Sequence, residues 1–369
     1  MGKKRIVIVG GHTTPALALI EEIRETSPEW EIYYFGTKYA HEGTKALSFE
    51  YKTLEKLKFI KFIPFSSGKF YRHFSLKALT SLLKIPLGFC QSLYLLLKIK
   101  PKIIVSFGGF LSMPVVVTSW FLGIPCVTHE QTKTLGLANR INLRFVKVIA
   151  VSFPESLKDL PKEKSVFTGN LLRKQIFAKE FPEESQIFKF LKGNKLPIIY
   201  ITGGKSGSEA VNRVVFKARD QLRKKFSLVH QIGVDRNLEE MRIKNYFALR
   251  FVKDLDLGPL LNKTRVVISR AGANIIYELL ALNKPAVLIP LPFTSGDEQR
   301  KNAEFLRKNK LAAVIEQKEL TPEVLLRIIF EIVNNDKKYC LEKENNWRKF
   351  DFKTTAKKFW QIVLETLEK

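Results

Sequence analysis

His12 is the residue whose type and position point most directly to chemistry. It follows Gly10 and Gly11, which come after the apolar run from Ile6 to Val9. An imidazole titrates near neutral pH, so a histidine at such a turn can act as a general base toward a bound ligand. A turn or helix-capping histidine is the alternative.

His129 is a second histidine at the end of an apolar run. It lies in the tetrapeptide Thr128-His129-Glu130-Gln131. Two interpretations stay open from the sequence: a side chain that faces a ligand, and a buried histidine held by hydrogen bonds.

Glycine turns follow several of the apolar runs. Such turns place free backbone N–H groups and a helix N-terminus beside a bound anion, at the strand ends where open α/β sheets bind ligands. The sequence contains neither G-x-x-x-x-G-K-[ST] nor G-x-G-x-x-G, which disfavours a P-loop ATPase and an ordinary dehydrogenase. The turns are Gly10-Gly11-His12, Gly108-Gly109, Gly203-Gly204-Lys205-Ser206-Gly207 and Ala271-Gly272-Ala273.

Metal-ligating residues show no convincing spacing. The chain has three cysteines, Cys90, Cys126 and Cys340, and no C-x-x-C pair. The one D-x-D triplet is Asp254-Leu255-Asp256. We therefore expect no protein-bound metal and no cofactor.

The elements that position these turns repeat through both halves of the chain. Runs rich in Ile and Val, each followed by a glycine turn and a helix-like stretch, predict an α/β fold with two Rossmann-like domains and parallel sheets. In the first half, strands are predicted at Arg5–Val9, Glu31–Phe35, Lys102–Ser106, Pro125–Thr128 and Val148–Ser152. In the second, they are predicted at Pro197–Thr202, Leu228–Gln231, Leu249–Phe251, Val266–Ser269, Ala286–Pro290 and Ala312–Glu316.

The domain boundary is expected in the polar, charged stretch between the two series. We predict an N-terminal domain over 1–166, a C-terminal domain over 167–345 and a helical tail over 346–369. The tail either packs across both domains or forms the last helix of the second.

The charge balance favours anionic partners. The formal net charge is +26, which suits nucleic acid, anionic lipid or phosphorylated substrates, although a drift in overall composition would also produce it. The N-terminal apolar run is too short for a signal peptide.

A basic and apolar segment between Phe59 and Lys100 predicts contact with an anionic membrane surface. Its longest uncharged run, Ile85 to Leu97, has 13 residues, short of the roughly 20 needed to span a bilayer. A core helix with a solvated basic edge is the alternative. The residues that suggest the surface are Lys58, Lys61, Phe62, Phe65, Lys69, Phe70, Tyr71, Arg72, Phe74, Lys77, Lys84, Lys98 and Lys100.

Taken in order, several motifs resemble the MurG family of UDP-N-acetylglucosamine transferases, in glycosyltransferase family 28, over about residues 4 to 335. They are Gly11-His12-Thr13-Thr14-Pro15-Ala16-Leu17-Ala18, Gly108-Gly109-Phe110-Leu111-Ser112-Met113-Pro114, Gly123-Ile124-Pro125 with His129-Glu130-Gln131, Gly136-Leu137-Ala138-Asn139-Arg140, Thr168-Gly169-Asn170 with Arg173, Ser269-Arg270-Ala271-Gly272-Ala273 with Glu278, and Pro290-Leu291-Pro292 with Asp297, Gln299, Asn302 and Ala303.

The resemblance implies a GT-B fold, with two facing Rossmann-like domains and a central cleft. It implies inverting transfer of N-acetylglucosamine from UDP-GlcNAc to the C4 hydroxyl of undecaprenyl-pyrophosphoryl-MurNAc-pentapeptide, converting lipid I to lipid II. This step belongs to peptidoglycan synthesis, and through it to cell shape and division. The implied location is the cytoplasmic face of the cell membrane, as a peripheral protein, with no nucleic acid as partner.

The resemblance also implies roles for particular residues. His12 is the expected base, Glu278 would accept from the ribose hydroxyls, and Gln299 with Asn302 would read the sugar hydroxyls. The expected donor-binding residues are Asn170, Arg173, Lys205, Ser206, Gly272, Ala273, Glu278, Gln299 and Asn302. The expected acceptor-binding residues are Gly10, Gly11, Thr13, Gly108, Gly109, Ser112, His129 and Glu130.

The chain departs from the family pattern at its first loop. Family members usually have Gly-Gly-Thr-Gly-Gly-His, whereas Gly10 and Gly11 alone precede His12 here, and that loop is thought to hold the acceptor's diphosphate. Other departures are Ser106-Phe107-Gly108-Gly109 for Gly-x-Gly-Gly, Thr132 for Asn, Glu298 for His and Lys205 for Ser.

Other functions remain open from the sequence. They are a GT-B transferase with a different lipid acceptor, a UDP-sugar epimerase of similar fold, a catalytically inactive scaffold, and a basic nucleic-acid-binding protein. Against the last, the basic residues are spread along the chain and carry no known nucleic-acid-binding motif.

Overall fold

The computed structural model describes residues 4–40, 46–68, 76–234 and 238–368. It divides into two compact units, which are treated one at a time: Met1–Arg173 together with Thr354–Lys369, and Lys174–Lys353. Of the residues expected to face a membrane, Lys69, Phe70, Tyr71, Arg72 and Phe74 lie outside the described residues.

Strands and helices alternate along both units, as the apolar runs predict. The strands are β1 (Arg5–Val9), β2 (Glu31–Gly36), β3 (Ile60–Pro64), β4 (Ile103–Ser106), β5 (Cys126–Glu130), β6 (Val148–Val151), β7 (Ser165–Phe167), β8 (Ile198–Thr202), β9 (Ser227–Gln231), β10 (Met241–Ile243), β11 (Tyr246–Leu249), β12 (Thr264–Ser269), β13 (Ala286–Leu288) and β14 (Ala312–Val314).

The α-helices are α1 (Thr13–Thr26), α2 (Phe49–Leu54), α3 (Leu76–Ile99), α4 (Ser112–Phe121), α5 (Leu137–Asn142), α6 (Gln186–Leu191), α7 (Glu209–Leu222), α8 (Asp254–Lys263), α9 (Ala273–Ala281), α10 (Glu298–Lys308), α11 (Pro322–Asn334), α12 (Asn346–Lys349) and α13 (Thr355–Glu368). Short 3-10 helices lie at Pro154–Asp159, Lys174–Phe177, Ser295–Asp297, Gln317–Glu319, Asp336–Lys338 and Phe352–Thr354.

The first unit is built on a parallel sheet in the order β3-β2-β1-β4-β5-β6-β7. Helices cover both faces, so β1 is apolar from Ile6 to Val9: Ile6 and Ile8 pack in one buried cluster, and Val7 and Val9 in another. The α/β class and the Rossmann-like order of the strands are confirmed for this unit.

The C-terminal tail contributes its last helix to the first unit. On α13, Phe359, Trp360 and Val363 belong to the same buried cluster as α1, and Trp360 Nε1 donates to Ser27 Oγ at 3.0 Å. Leu171, in the stretch where the boundary was expected, is buried in this cluster as well. The structure therefore places the division after Arg173, seven residues beyond the expected one.

The second unit is also built on a seven-stranded sheet, in the order β10-β11-β9-β8-β12-β13-β14. Its strands are parallel except for the short, exposed edge strand β10, which pairs with β11 in an antiparallel hairpin. The start of the tail belongs here, because Trp347 packs edge-on against Tyr277 and Phe305. The tail predicted as one helix is thus divided between the units, and the backbone at Phe350 is extended.

Candidate functional site

In the first unit, the loops that follow the neighbouring strands β1 and β4 lie against each other. A Cβ atom on Gly11 would collide with the carbonyl of Gly108, and one on Gly109 would come within 3.0 Å of the Gly11 Cα. Gly108 and Gly109 have φ values of 71° and 75°, which favour glycine. Glycine is required on both sides of this contact, and the structure brings Gly10 and Gly11 together with Gly108 and Gly109.

His12 occupies the N-cap position of α1, but its side chain does not cap the helix. Its Nδ1 lies 2.8 Å from the carbonyl oxygen of Phe107. A carbonyl only accepts hydrogen bonds, so Nδ1 must carry the proton in the neutral ring, and Nε2 holds the lone pair. A general base needs a free lone pair, which this tautomer provides at Nε2. The half-buried ring is held by the loop that contains Phe107.

The hydroxyl of Tyr34 and the carboxylate of Glu50 lie against the loop that follows β1. Tyr34 fills the space that a Cβ on Gly10 would occupy, and its hydroxyl is 3.3 Å from Glu50 Oε2. Burial, followed by the charge of Glu50, raises the pKa of Tyr34 well above its ordinary value. Thr13, an expected acceptor residue, begins α1 directly after His12. Glu50 was not predicted from the sequence.

Ser112 is buried at the start of α4. Its Oγ donates to the carbonyl of Gly109 at 2.8 Å and accepts from Asn142 Nδ2 at 2.9 Å. In this structure Ser112, expected to bind acceptor, fixes the turn that presents Gly109.

His129 and Glu130 are 1% and 3% exposed. His129 Nε2 lies 3.1 Å from the carbonyl of Gly169, and burial lowers the pKa of His129 to about 4. The Glu130 carboxylate accepts from the N–H and hydroxyl of Thr132, the N–H of Gly136 and the amide of Asn139. Both side chains therefore hold neighbouring loops, which supports the structural interpretation of His129.

Asn170 and Arg173, expected to bind the donor, belong to the first unit. Asn170 is fully buried. The guanidinium of Arg173 makes a two-nitrogen contact with Glu21 Oε1 on α1, from Nε at 3.0 Å and from Nη2 at 2.8 Å.

In the second unit, the loop after β8 is held by close backbone packing. Gly204 and Gly207 have φ values of 81° and 75°, and a Cβ on Gly207 would collide with the carbonyl of Ile232. Gln231 Nε2 donates to the carbonyl of Gly204 at 3.0 Å. Ser206 is exposed and Lys205 is half-buried, so both lie at the surface of the loop.

The N-terminus of α9 opens toward free space. Gly272 is its N-cap, the first turn contains no acidic residue, and a Cβ on Gly272 would meet nothing within 4 Å. Backbone N–H groups at such an end suit an anion. The neighbouring Ala273 is buried and keeps the helix against the sheet.

Glu278, Gln299 and Asn302 lie on α9 and α10. Glu278 is 7% exposed and close enough to Tyr200 on β8 to contribute to the raised pKa of that phenol, after the larger effect of burial. Gln299 Oε1 accepts from the N–H of Leu291 at 2.9 Å. Asn302 is fully buried and donates to the carbonyl of Ala271 at 3.0 Å, so it holds the loop before α9 instead of facing the opening.

Residues that the sequence left without a role also shape this site, notably Gln231, Ser208 and Arg270. Ser208 caps α7 by accepting from the N–H of Val211. For Arg270, its place inside the Ser-Arg-Ala-Gly-Ala motif was the available signal. Among the described residues, no group of three or more His, Cys, Asp or Glu side chains has the geometry of a metal site.

Comparison with known proteins gives consistent matches over both units. Residues 9–151 match the glycosyltransferase family 28 N-terminal domain, and residues 198–359 match the glycosyltransferase family 28 C-terminal domain. A Clostridium tetani relative is named UDP-N-acetylglucosamine--N-acetylmuramyl-(pentapeptide) pyrophosphoryl-undecaprenol N-acetylglucosamine transferase. It is 35% identical over 352 residues, which cover 93% of this chain and 94% of the relative.

Two solved structures share the fold. Acinetobacter baumannii MurG aligns with a TM-score of 0.68 at 20% identity, over 98% of this chain and 99% of that one. UDP-GlcNAc 2-epimerase from Neisseria meningitidis, bound to UDP-GlcNAc, aligns with a TM-score of 0.65 at 14% identity, over 98% and 100%. Since a transferase and an epimerase align nearly equally well, the fold alone does not separate these two activities.

Proposed function

The chain belongs to glycosyltransferase family 28, and we propose that it transfers N-acetylglucosamine from UDP-GlcNAc to the C4 hydroxyl of undecaprenyl-pyrophosphoryl-MurNAc-pentapeptide. The Clostridium tetani relative, which matches 93% of the chain, is named for this donor and acceptor. The observation in the structure that carries the proposal is His12, whose ring is fixed by the carbonyl of Phe107 with Nε2 left as the proton acceptor.

In the proposed reaction, the acceptor hydroxyl attacks the anomeric carbon of N-acetylglucosamine. The new C–O bond forms as the bond to the diphosphate breaks, the electron pair leaves with UDP, and the hydroxyl proton passes to His12 Nε2. The ring then donates from both nitrogens, and the Phe107 carbonyl already faces Nδ1. A single displacement of this kind inverts the anomeric centre.

The second unit supplies the donor site in this proposal. The N–H groups at the start of α9, beside Gly272, receive the diphosphate, with Lys205 and Ser206 on the neighbouring loop. Glu278 accepts from the ribose hydroxyls, and Gln299 reads the sugar hydroxyls. Backbone donors and a lysine then stabilise the charge that grows on the departing diphosphate.

The buried polar residues support these groups. Asn302 acts through the Ala271 carbonyl, and Ser112 through the Gly109 turn. In the first unit, His129 and Glu130 bond to the backbone of neighbouring loops, Arg173 bonds to the Glu21 carboxylate on α1, and Asn170 is fully buried. We propose them as positioning residues, not as ligand contacts.

The test of this function is a panel of donors and acceptors given to the purified full chain. We expect UDP-GlcNAc to bind in calorimetry more tightly than UDP-glucose, and expect label to pass from it to a polyprenyl-pyrophosphoryl-MurNAc-peptide. Release of UDP with conversion of the sugar to its 2-epimer, or transfer to diacylglycerol alone, would replace this function with one of its rivals. Absence of binding to either nucleotide would remove the transferase function altogether.

A surface of the first unit suits the lipid-linked acceptor. Helix α3 packs on α4, and α4 on α5, and together they expose large apolar side chains; Trp120 is 52% and Phe121 75% exposed. The other members of this apolar surface are Leu87, Leu93, Tyr94, Leu97 and Leu137, with Lys84, Lys98, Arg140, Arg144 and Lys147 exposed on the same helices or beside them. No helix among the described residues is long and apolar enough to cross a bilayer.

We propose that this apolar surface rests on an anionic leaflet at the cytoplasmic face of the cell membrane. Phe121→Ser is expected to weaken binding to vesicles containing anionic lipid by about tenfold, because one large apolar side chain no longer leaves water. Phe188→Ser on α6 of the second unit is the matched control, since that phenyl ring is also exposed. Equal losses in the two variants in a vesicle flotation assay would contradict the assignment.

A further inference from the structure

Arg270 lies in the loop between β12 and α9 and is 8% exposed. Its Nε donates to Ser208 Oγ at 3.0 Å, its Nη1 to the carbonyls of Ile289 and Pro290 at 3.1 and 3.3 Å, and its Nη2 to Gln317 Oε1 at 2.6 Å. These acceptors follow β8, β13 and β14 at the carboxyl ends of the strands. One guanidinium therefore bonds to three other segments that follow strands of this sheet.

Two of these segments belong to the proposed donor site. Ser208 caps α7 directly after the glycine loop at 203–207. Pro290 is followed by Leu291, whose N–H donates to Gln299 Oε1 at 2.9 Å. Arg270 is thus joined on one side to the loop expected to meet the diphosphate, and on the other to the residue expected to read the sugar.

The loop that carries Arg270 is itself fixed. Ser269 Oγ donates to the carbonyl of Arg270 at 2.8 Å, and the Ser269 carbonyl accepts from the N–H of Ile289 at 2.8 Å. Asn302 donates to the carbonyl of Ala271. The next residue is Gly272, which opens α9 toward free space. The loop is therefore held by bonds at Ser269, Arg270 and Ala271, directly before this helix start.

Arginine suits this position for a geometric reason. A planar guanidinium directs several N–H groups along fixed directions, whereas a lysine ammonium is a single point that cannot meet four spread acceptors at once. Burying a cation costs free energy unless its N–H donors are satisfied. Arginine can stay buried here because its forked N–H groups match the surrounding acceptors.

We propose that Arg270 is a positioning residue that couples the two ends of the donor site, so that recognition of the sugar by Gln299 depends on the Arg270 fork. This inference rests on the proposed function and adds to it the residue that fixes the relative placement of the sugar-reading and diphosphate-binding loops within the second unit. Arg270 acts through Pro290, Leu291 and Ser208, and the proposal requires no contact with the ligand.

The test is a double-mutant cycle between Arg270→Lys and Gln299→Ala, read as the KM for UDP-GlcNAc and the inhibition constant of UDP. Lysine keeps the charge and loses the fork. We expect Arg270→Lys to raise the KM for UDP-GlcNAc roughly tenfold, because the buried bonds that place Gln299 against the sugar are lost. The inhibition constant of UDP should change less than about threefold, because UDP carries no sugar for Gln299 to read. In that background Gln299→Ala should raise the KM by less than about twofold further.

Arg265→Lys is the matched control, because Arg265 lies on the same strand β12, at its other end, and donates to the carbonyl of Val333. It is expected to leave the KM unchanged. Additive effects of Arg270→Lys and Gln299→Ala in an active enzyme, or an equal KM rise in Arg265→Lys, would overturn the inference. A wild-type chain that does not turn over UDP-GlcNAc would instead overturn the proposed function.

Gln317→Ala serves if Arg270→Lys fails to fold. It removes one acceptor, at a half-buried position, and leaves the guanidinium and its other bonds in place. A smaller KM rise of about two- to threefold that is non-additive with Gln299→Ala would support the coupling. An unchanged KM, or additive effects, would count against it.

Discussion

The loops of the first unit and those of the second contain similar glycine turns but offer different chemistry. In the first unit, the polar side chains around the turns are bonded to protein: Ser112 to Gly109, His129 to Gly169 and Arg173 to Glu21. His12, beside the first of these turns, has its Nδ1 fixed by the Phe107 carbonyl, which leaves Nε2 to accept a proton. In the second unit, the opening beside Gly272 is formed by backbone.

This difference suggests how the work is divided. A base needs one tautomer in one place, which a rigid set of buried bonds provides. A diphosphate needs several N–H donors that stay fixed as charge develops, which a helix end provides. Changes in the first unit should therefore affect the chemical step, and changes in the second should affect the donor.

The largest expected effect is that of His12→Asn. Asparagine is a good N-cap residue, and its amide can still donate to the Phe107 carbonyl, so the loop should keep its structure. The proton acceptor is lost, and we expect kcat to fall by about 10²- to 10⁴-fold. Glu278→Ala, in the second unit, is expected to raise the KM for UDP-GlcNAc instead. Steady-state kinetics separate the two, and a His12→Asn enzyme with near-normal kcat would remove His12 as the base.

Among the described residues, each unit contains one buried histidine that is neutral at pH 7, and acid should destabilise both units. Burial lowers the pKa of His129 to about 4 and that of His230 to about 3, from an ordinary value of 6.5. The unfolded chain binds the proton first, so stability is full above about pH 6.5 and falls as the pH drops toward those values. The loss amounts to roughly 3 kcal/mol for His129 and roughly 5 kcal/mol for His230 at the acid end.

The bonding of the two rings sharpens this comparison. His230 has partners on both nitrogens, the Tyr246 hydroxyl and Asn212 Oδ1, each at 3.0 Å. His129 is bonded at Nε2, while its buried Nδ1 has no hydrogen-bond partner among the described residues. Thermal unfolding between pH 7 and pH 4 should therefore show a weaker pH dependence in His129→Gln and in His230→Gln than in the wild type. A variant whose melting temperature follows the wild-type pH curve would show that its histidine does not contribute.

Much of the fold was predictable because the local pattern of apolar residues and glycines determines where the strands and loops lie. The buried strands are continuous apolar runs, and the glycines that follow them mark the loops. Errors occurred where local pattern is ambiguous. Leu249–Phe251 was predicted as a strand, but β11 lies at Tyr246–Leu249. Strand β3 (Ile60–Pro64) was not predicted, because it lies in a basic, aromatic stretch that is also typical of a membrane-contacting surface.

Side-chain partners in the site were harder to predict, because they come from distant parts of the chain. His129 bonds to a carbonyl 40 residues away, Arg173 to a carboxylate 152 residues away, and Asn302 to a carbonyl 31 residues away. The sequence does not distinguish a polar residue that faces a ligand from one that holds a loop when both lie beside a glycine turn. Burial distinguishes the two cases, and burial depends on tertiary packing.

The smallest expected effects come from adding one methyl group to a glycine in each unit. In Gly11→Ala the new Cβ collides with the carbonyl of Gly108, so one loop must move, and we expect a loss of about 1–3 kcal/mol in stability together with a fall in kcat. In Gly272→Ala the new Cβ meets nothing within 4 Å. Stability should then change by less than about 1 kcal/mol, since alanine is only a poorer N-cap than glycine.

The same methyl group in Gly272→Ala should act on the ligand. It would occupy the space in front of the α9 N-terminus, where the diphosphate is proposed to bind, so the KM for UDP-GlcNAc and the inhibition constant of UDP should both rise, by about three- to tenfold. Melting temperature and kinetics measured on both variants give the comparison. If donor binding is unchanged in Gly272→Ala, the diphosphate does not bind at the start of α9. If Gly11→Ala is as stable as the wild type, the loops after β1 and β4 can separate enough to accept the methyl group without loss of stability.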